Sequence, residues 1–222
     1  MPFLKLPRWK VLRANRRLAA LWQDRSGVAI IEFAIVGPVF LGLLIAVLNT
    51  MLVFLAQAGL ETAAEGAGRL LLTGAAQTTT VGGGAPGLTA AQFKTAICSG
   101  ISGTDANGSA VTYPKLLPSM LECSRLTVNV AVVNGYNNIG TVAPTFTYDA
   151  QGTLVSTGTG YNAISSGSGQ NKIVVLQLIY LWPTTTGPNG FNVSNQPNNN
   201  RMIIATSVVS TENYSCGSGS TC

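Results

Sequence analysis

Gly27-Val28-Ala29-Ile30-Ile31-Glu32-Phe33 opens the stretch whose reading decides the architecture of this 222-residue chain. Directly after it, residues 34–56 run for 23 positions without a charge, and Asn49 and Thr50 are their main polar members. At 1.5 Å per residue a helix of that length spans roughly 35 Å, and a bilayer core is about 30 Å thick. The run is therefore read as a membrane-spanning helix. A buried helix of a soluble protein is the alternative, but such helices rarely extend past about 18 uncharged residues. Glu32 stands at the lip of the span. A carboxylate there is costly, which marks it as a functional position.

Charge sets the orientation. Lys5, Arg8, Lys10, Arg13, Arg16, Arg17 and Arg25 precede the span, opposed by Asp24 and Glu32, so the head carries 7 − 2 = +5. After the span, six basic and six acidic residues cancel, and the whole net charge of +5 sits in the first 32 residues. The positive-inside rule puts this head in the cytoplasm and everything after residue 57 on the far side. A basic, Trp-bearing head also suits nucleic acid. Next to a membrane span, however, a short basic arm lies on anionic lipid, so the expected partner is membrane lipid and no nucleic acid.

A secretory signal carries its small-residue cleavage site after its apolar region. Here the small pair Ser26-Gly27 comes before it, and cutting between Gly27 and Val28 would remove the basic head and keep the apolar helix. That arrangement resembles the class III leader of type IV pilins: Gly, four residues, then Glu-Phe. Glu32-Phe33-Ala34-Ile35-Val36-Gly37-Pro38 resembles the start of the TadE/TadG-like family. Leu60-Glu61-Thr62-Ala63-Ala64-Glu65-Gly66-Ala67-Gly68-Arg69 resembles that family's helix end. The stretch from Arg201-Met202-Ile203-Ile204-Ala205 to Ser210-Thr211-Glu212-Asn213-Tyr214 looks like its last strand and closing motif, with Asn213 where Pro is common. Residues 75–200 show no assignable motif.

The resemblance implies a minor pilin or pseudopilin of a tight-adherence (Tad/Flp) pilus. It would sit in a bacterial inner membrane by one helix, with its C-terminal domain periplasmic and incorporation in an extracellular pilus as one outcome. It also implies partners: a prepilin peptidase, other pilin or pseudopilin subunits, and the Tad assembly machinery. Gly27 and Val28 become the processing site, and Glu32 and Phe33 the assembly residues. By analogy with type IV pilins, Glu32 would pair with the Val28 amine of a neighbouring subunit. Glu32 snorkelling to the headgroups, or pairing with its own amine, stays open.

Cys98, Cys123, Cys216 and Cys222 all fall beyond the membrane, and an even number on the oxidising side reads as disulfides. A metal site would need tighter paired spacing or His partners, and the chain has no His. Sequence proximity gives the pairings Cys98–Cys123 and Cys216–Cys222. Without His there is no histidine base and no Ser-His pair. Asp105, Glu122 and Asp149 are widely separated, and Gly82-Gly83-Gly84 lacks the Lys-Ser/Thr of a phosphate loop. No cofactor, metal or enzymatic activity is expected.

In chain order, residues 1–27 form a basic leader, with an amphipathic segment at 10–22. Residues 28–74 form the span and its amphipathic extension, capped by Ser26 and stopped by Gly74. Pro38 should bend this helix. Leu60, Ala64, Ala67 and Leu71 form one apolar stripe, and Glu65 and Arg69 suit an i, i+4 pair. Gly42/Ala46 and Gly59/Ala63 have the spacing that lets membrane helices approach closely, although Gly and Ala are common in such helices anyway.

Residues 75–222 form an exported α+β domain, an antiparallel sheet laid against the long helix. In it, 75–87 read as a linker and 89–99 as a short helix with Phe93, Ala96 and Ile97 inward. The segments 100–118, 151–171 and 183–200 read as loops. Strands are expected at 126–133 (half-buried, before a turn at Asn134-Gly135), 145–148, 172–182 (central, covered on both faces) and 202–210. Three function classes follow: a pilus component, an anchored adhesin or binding module not processed as a pilin, and a periplasmic enzyme. The lack of catalytic groups disfavours the last.

Overall fold

The computed structural model of the chain describes residues 27–133, 135–137, 139, 144–150, 154–156, 160–161, 172–184, 190 and 192–212. The basic head with its Ser26 cap, Asn134 of the expected turn, the end of the closing motif at Asn213-Tyr214, and Cys216 and Cys222 lie outside them. The chain divides into two compact units, residues 1–47 and 48–222. Helix α1, Val28–Leu72, is 45 residues long and contributes to both.

In the first unit the described residues are the start of α1, with Pro38 inside the continuous helix. Nearly every large apolar side chain there faces outward, Phe33 being 74% exposed. Burial by protein therefore does not explain why this helix is apolar all round.

The second unit is α+β and has its own core. Residues 56–71 of α1 supply Ala56, Leu60, Ala63, Ala64, Ala67 and Leu71 to it; Leu60, Ala64, Ala67 and Leu71 are the stripe that the spacing of the sequence anticipates. Helix α2 is Ala75–Thr78 and helix α3 is Ala90–Ser99. Thr89 caps α3 in a reciprocal box: its Oγ1 accepts from Gln92 N–H at 3.3 Å, and its own N–H donates to Gln92 Oε1 at 2.8 Å. Phe93, Ala96 and Ile97 then point inward.

Strands β1 (Ile101–Thr104) and β2 (Ala110–Tyr113) form an antiparallel hairpin. Strands β3 (Leu126–Val133), β6 (Ile173–Pro183) and β7 (Asn200–Ser210) form an antiparallel sheet in the order β3-β6-β7. Strands β4 (Thr147–Tyr148) and β5 (Leu154–Ser156) make a small pair. Central β6 buries Val174, Leu176, Leu178 and Tyr180 on one face and Val175 and Ile179 on the other. A strand without alternation suits that position.

The structure corrects several expectations. The expected linker 75–87 is folded: α2 begins it, Gln77 and Thr79 are buried, and Thr80 exchanges backbone hydrogen bonds with Thr104 at 2.8 and 2.9 Å. The expected loop 100–118 contains the β1–β2 hairpin. Asp105 Oδ1 closes its turn by accepting from Asn107 and Ser109 N–H at 2.9 and 2.8 Å. Gly100 enters the hairpin at φ +80°, where a Cβ would lie 2.6 Å from Tyr113 O. The expected loop 151–171 contains β5.

Strand β3 is more than half-buried. Its second face, Asn129, Ala131 and Val133, is covered as well. Asn129 meets the cost of burial by donating to Gln177 Oε1 at 2.8 Å and accepting from Gly160 N–H at 2.9 Å.

Candidate functional site

Gly27 directly precedes α1, and a Cβ there would meet nothing within 4 Å. Val28 follows as the first α-helical residue and is exposed. Glu32 lies four residues on, about 6 Å along the axis. The first turn, residues 28–31, therefore holds no acidic group and Glu32 occupies the second. The pull of a helix N-terminus on an anion falls off within the first turn, so it does little to offset the cost of Glu32. Glu32 has no hydrogen-bond or ion-pair partner among the described residues. Phe33 lays its ring over Gly37, within 3.4 Å of where a Cβ would stand, which buries that glycine.

Length and composition make α1 able to cross a membrane: its most apolar 18-residue window is 11% buried. Exposed Ile35, Val36, Phe40, Leu43, Ile45 and Val47 surround it on all sides. An unbroken apolar surface of this extent marks contact with lipid or another protein.

The helix end, residues 60–69, is a packing motif. Its small residues Ala63, Ala64, Ala67 and Gly68 are buried, whereas Glu61, Thr62, Glu65 and Arg69 are exposed. Among the described residues no ion pair joins Glu65 to Arg69; Gln57 instead donates to Glu61 Oε1 at 3.0 Å. A Cβ at Gly59 would lie 2.9 Å from Pro118 Cγ, one at Gly66 2.9 Å from Leu116 Cδ2, and one at Gly68 2.5 Å from Ser207 Oγ. Of Gly59 and Ala63, whose spacing suits helix pairing in a membrane, Ala63 lies in the core of the second unit and Gly59 faces Pro118.

Two further ties hold this helix end. Leu71 O accepts from Gly74 N–H at 3.3 Å and from Gln77 Nε2 at 3.2 Å, and Leu72 O accepts from Glu212 N–H at 3.0 Å. The chain after β7 therefore caps one carbonyl, Leu72 O, of those that a helix C-terminus leaves unpaired. Nothing in the sequence spacing signals this link. Cys98, at the end of α3, is joined by a disulfide to Cys123, before β3, across a separation of 25 residues. In the chain-entropy model such a loop contributes roughly 3 kcal/mol.

An open groove of about 270 Å³ lies between α3 and β3, lined by Ala90, Lys94, Thr127, Val128 and Tyr161 among others. Tyr161 donates its hydroxyl to Leu88 O at 3.0 Å, and burial pushes its pKa up. No signal in the sequence singles Tyr161 out. Among the described residues no three His, Cys, Asp or Glu side chains cluster as metal ligands would, and Asp105, Glu122 and Asp149 do not form a site.

Residues 27–69 match the family model described as TadE-like protein. The matched segment runs from the glycine before α1 to the last residue of the packing motif. No curated protein and no solved structure matches the chain.

Proposed function

We propose, from the premise that residues 27–69 are a TadE-like segment, that the chain is a component of a Tad (type IVc, Flp) pilus system. Its role is that of a minor pilin or pseudopilin in pilus assembly and surface adherence. The single observation that carries this reading is the division of α1. A Gly27…Glu32-Phe33 motif leads into an apolar half with no protein cover, and the other half is packed into a folded domain. An ordinary membrane anchor has no use for a small residue followed five positions later by a carboxylate.

In this reading the head stays cytoplasmic, the span crosses the inner membrane and the domain is periplasmic. A prepilin peptidase cuts between Gly27 and Val28. The new Val28 amine is then a cation at the start of α1. Glu32, too far along the helix to gain from its dipole, takes such an amine from a neighbouring subunit as its counter-charge. The role is structural and non-enzymatic.

The test is the mature N-terminus. In a host with the peptidase, membrane protein should begin at Val28, and Gly27→Leu should leave the chain intact. Glu32→Gln should be cut normally yet lose most of its co-purification with other pilins. Recovery of only the intact wild-type chain moves the reading to an unprocessed, single-pass adhesin or binding module. Glu32→Gln that is cut and assembles like the wild type ends the charge-pairing mechanism.

A further inference from the structure

Strand β7 is an edge strand of the β3-β6-β7 sheet, and the parity of its backbone groups can be assigned. Thr211 N–H donates to Lys172 O at 2.9 Å in line with the β6–β7 register, so odd-numbered residues turn their backbone groups toward β6. Even-numbered residues turn theirs outward. Met202 N–H accordingly donates to Asn195 Oδ1 at 2.8 Å, Asn200 O accepts from Asn195 and Gln196 N–H, and Glu212 N–H reaches Leu72 O. The two ends of the outer edge are thus closed. Between them, the outward N–H and C=O groups of Ile204, Thr206, Val208 and Ser210 have no partner among the described residues.

The opposite edge of the sheet is treated differently. There Val130 N–H donates to Gly160 O at 3.0 Å, and Tyr161 makes a bridge to β3. The open stretch of β7 carries none of the devices that keep sheet edges apart. It has no Lys, no Pro and no register shift, and Ile204 and Val208 remain 39% and 41% exposed.

We propose that this edge pairs with the same edge of a second copy of the chain, antiparallel and centred on Ser207. A row of alternating donors and acceptors takes only an extended peptide backbone, and the window fits itself. Residues 204–210 are symmetric about Ser207, so Ile204 meets Ser210 of the second copy and Thr206 meets its Val208. Each is a pair that exchanges two hydrogen bonds, about eight bonds across the interface.

One step further out, Met202 faces Glu212 of the second copy. Both have already spent their outward N–H groups, and the pairing stops there. Charge selects the direction. Residues 202–211 carry none, and the antiparallel arrangement brings the Arg201 end of one strand to the Glu212 end of the other. A parallel one would set like against like. The contact is isologous, as a closed two-fold dimer requires, and joins two three-stranded sheets into one of six strands. It does not depend on whether Gly27 is cut.

The test uses the full chain in detergent micelles, expressed without a prepilin peptidase. The protein mass from light scattering should be twice 23.0 kDa. Amides of Ile204, Thr206, Val208 and Ser210 should exchange at least about 100-fold more slowly than in the double variant Ile204→Lys/Val208→Lys. That variant should be monomeric and still protect the odd-numbered amides of β7, which shows that it folds. Thr206→Pro, which removes an outward N–H, should also be monomeric. A monomeric wild type, a lysine variant that remains dimeric, or a dimer whose outer amides exchange freely would each overturn the proposal.

Discussion

Between residues 28 and 55 the large apolar side chains of α1 face outward, Val53 apart, whereas between 56 and 71 the helix buries its apolar stripe and exposes its charges. The two halves are continuous. What differs is size. The exposed half carries Ile, Val, Phe and Leu, side chains suited to lipid. The buried half is mostly Ala and Gly, so that backbone can approach backbone: Gly68 faces Ser207 with no room for a Cβ. The size of the residues on the contact face, more than overall hydrophobicity, therefore separates the exposed half of the helix from the half that enters the core.

The largest effect that separates the halves is a truncation made in each. Leu60 is 0% exposed, and Leu60→Ala should lower domain stability by about 2–5 kcal/mol. Leu44→Ala, in the exposed half, should change it by less than about 0.5 kcal/mol. Denaturant unfolding of the full chain in micelles, followed by near-ultraviolet circular dichroism, reads both. Equal losses would show that the exposed half is part of the same core.

Smaller is Gly68→Ala. Overpacking against Ser207 should cost about 1–3 kcal/mol, and better helix propensity returns up to about 1 kcal/mol. Ser207→Ala in the same chain should recover most of the loss, because Ser207 Oγ is the nearest atom in the way. No recovery would mean that the close approach of α1 and β7 is not what the glycine serves.

The smallest effect is confined to alkaline solution. Burial raises the Tyr161 pKa in the folded chain above the ordinary value near 10. The unfolded chain then loses this proton first, so stability holds below about pH 10 and falls as pH rises beyond it. Tyr161→Phe should remove that part of the slope. It should also cost about 1 kcal/mol at neutral pH, through the lost hydrogen bond to Leu88 O. A pH titration of unfolding in both proteins checks it, and an unchanged alkaline slope would show that Tyr161 is not the group responsible.

The sequence made the long apolar helix, the buried stripe and the central strand legible, because each rests on the periodicity or length of side chains close together in the chain. The β1–β2 hairpin was not, since its strands have four residues each and Gly103 interrupts the first. The turn signal Asp105-Ala106-Asn107-Gly108 was present, but it had no long alternating run on either side. Residues 75–87 looked like a linker because they are rich in Thr and Gly, and the burial of Gln77 and Thr79 rests on hydrogen bonds that local sequence does not encode: Gln77 to Leu71 O and Thr79 to the Tyr113 hydroxyl. At the candidate site, the spacing of Gly27, Glu32 and Phe33 was plain. The place of Glu32 beyond the first helical turn depends on where the helix begins, which spacing alone does not fix.

The bond from Glu212 N–H to Leu72 O joins positions 212 − 72 = 140 residues apart. It sets an order of events during synthesis. The Gly66–Leu71 face of α1 is made early, yet its strand partner, β7 (Asn200–Ser210), follows some 140 residues later. At about 5–20 residues per second the face waits roughly 7–28 s for its cover. A nascent helix with bulky side chains there would present a sticky surface for that whole interval. Glycine and alanine keep the waiting surface small, so the residues that permit close packing in the finished domain also protect the unfinished chain from premature association.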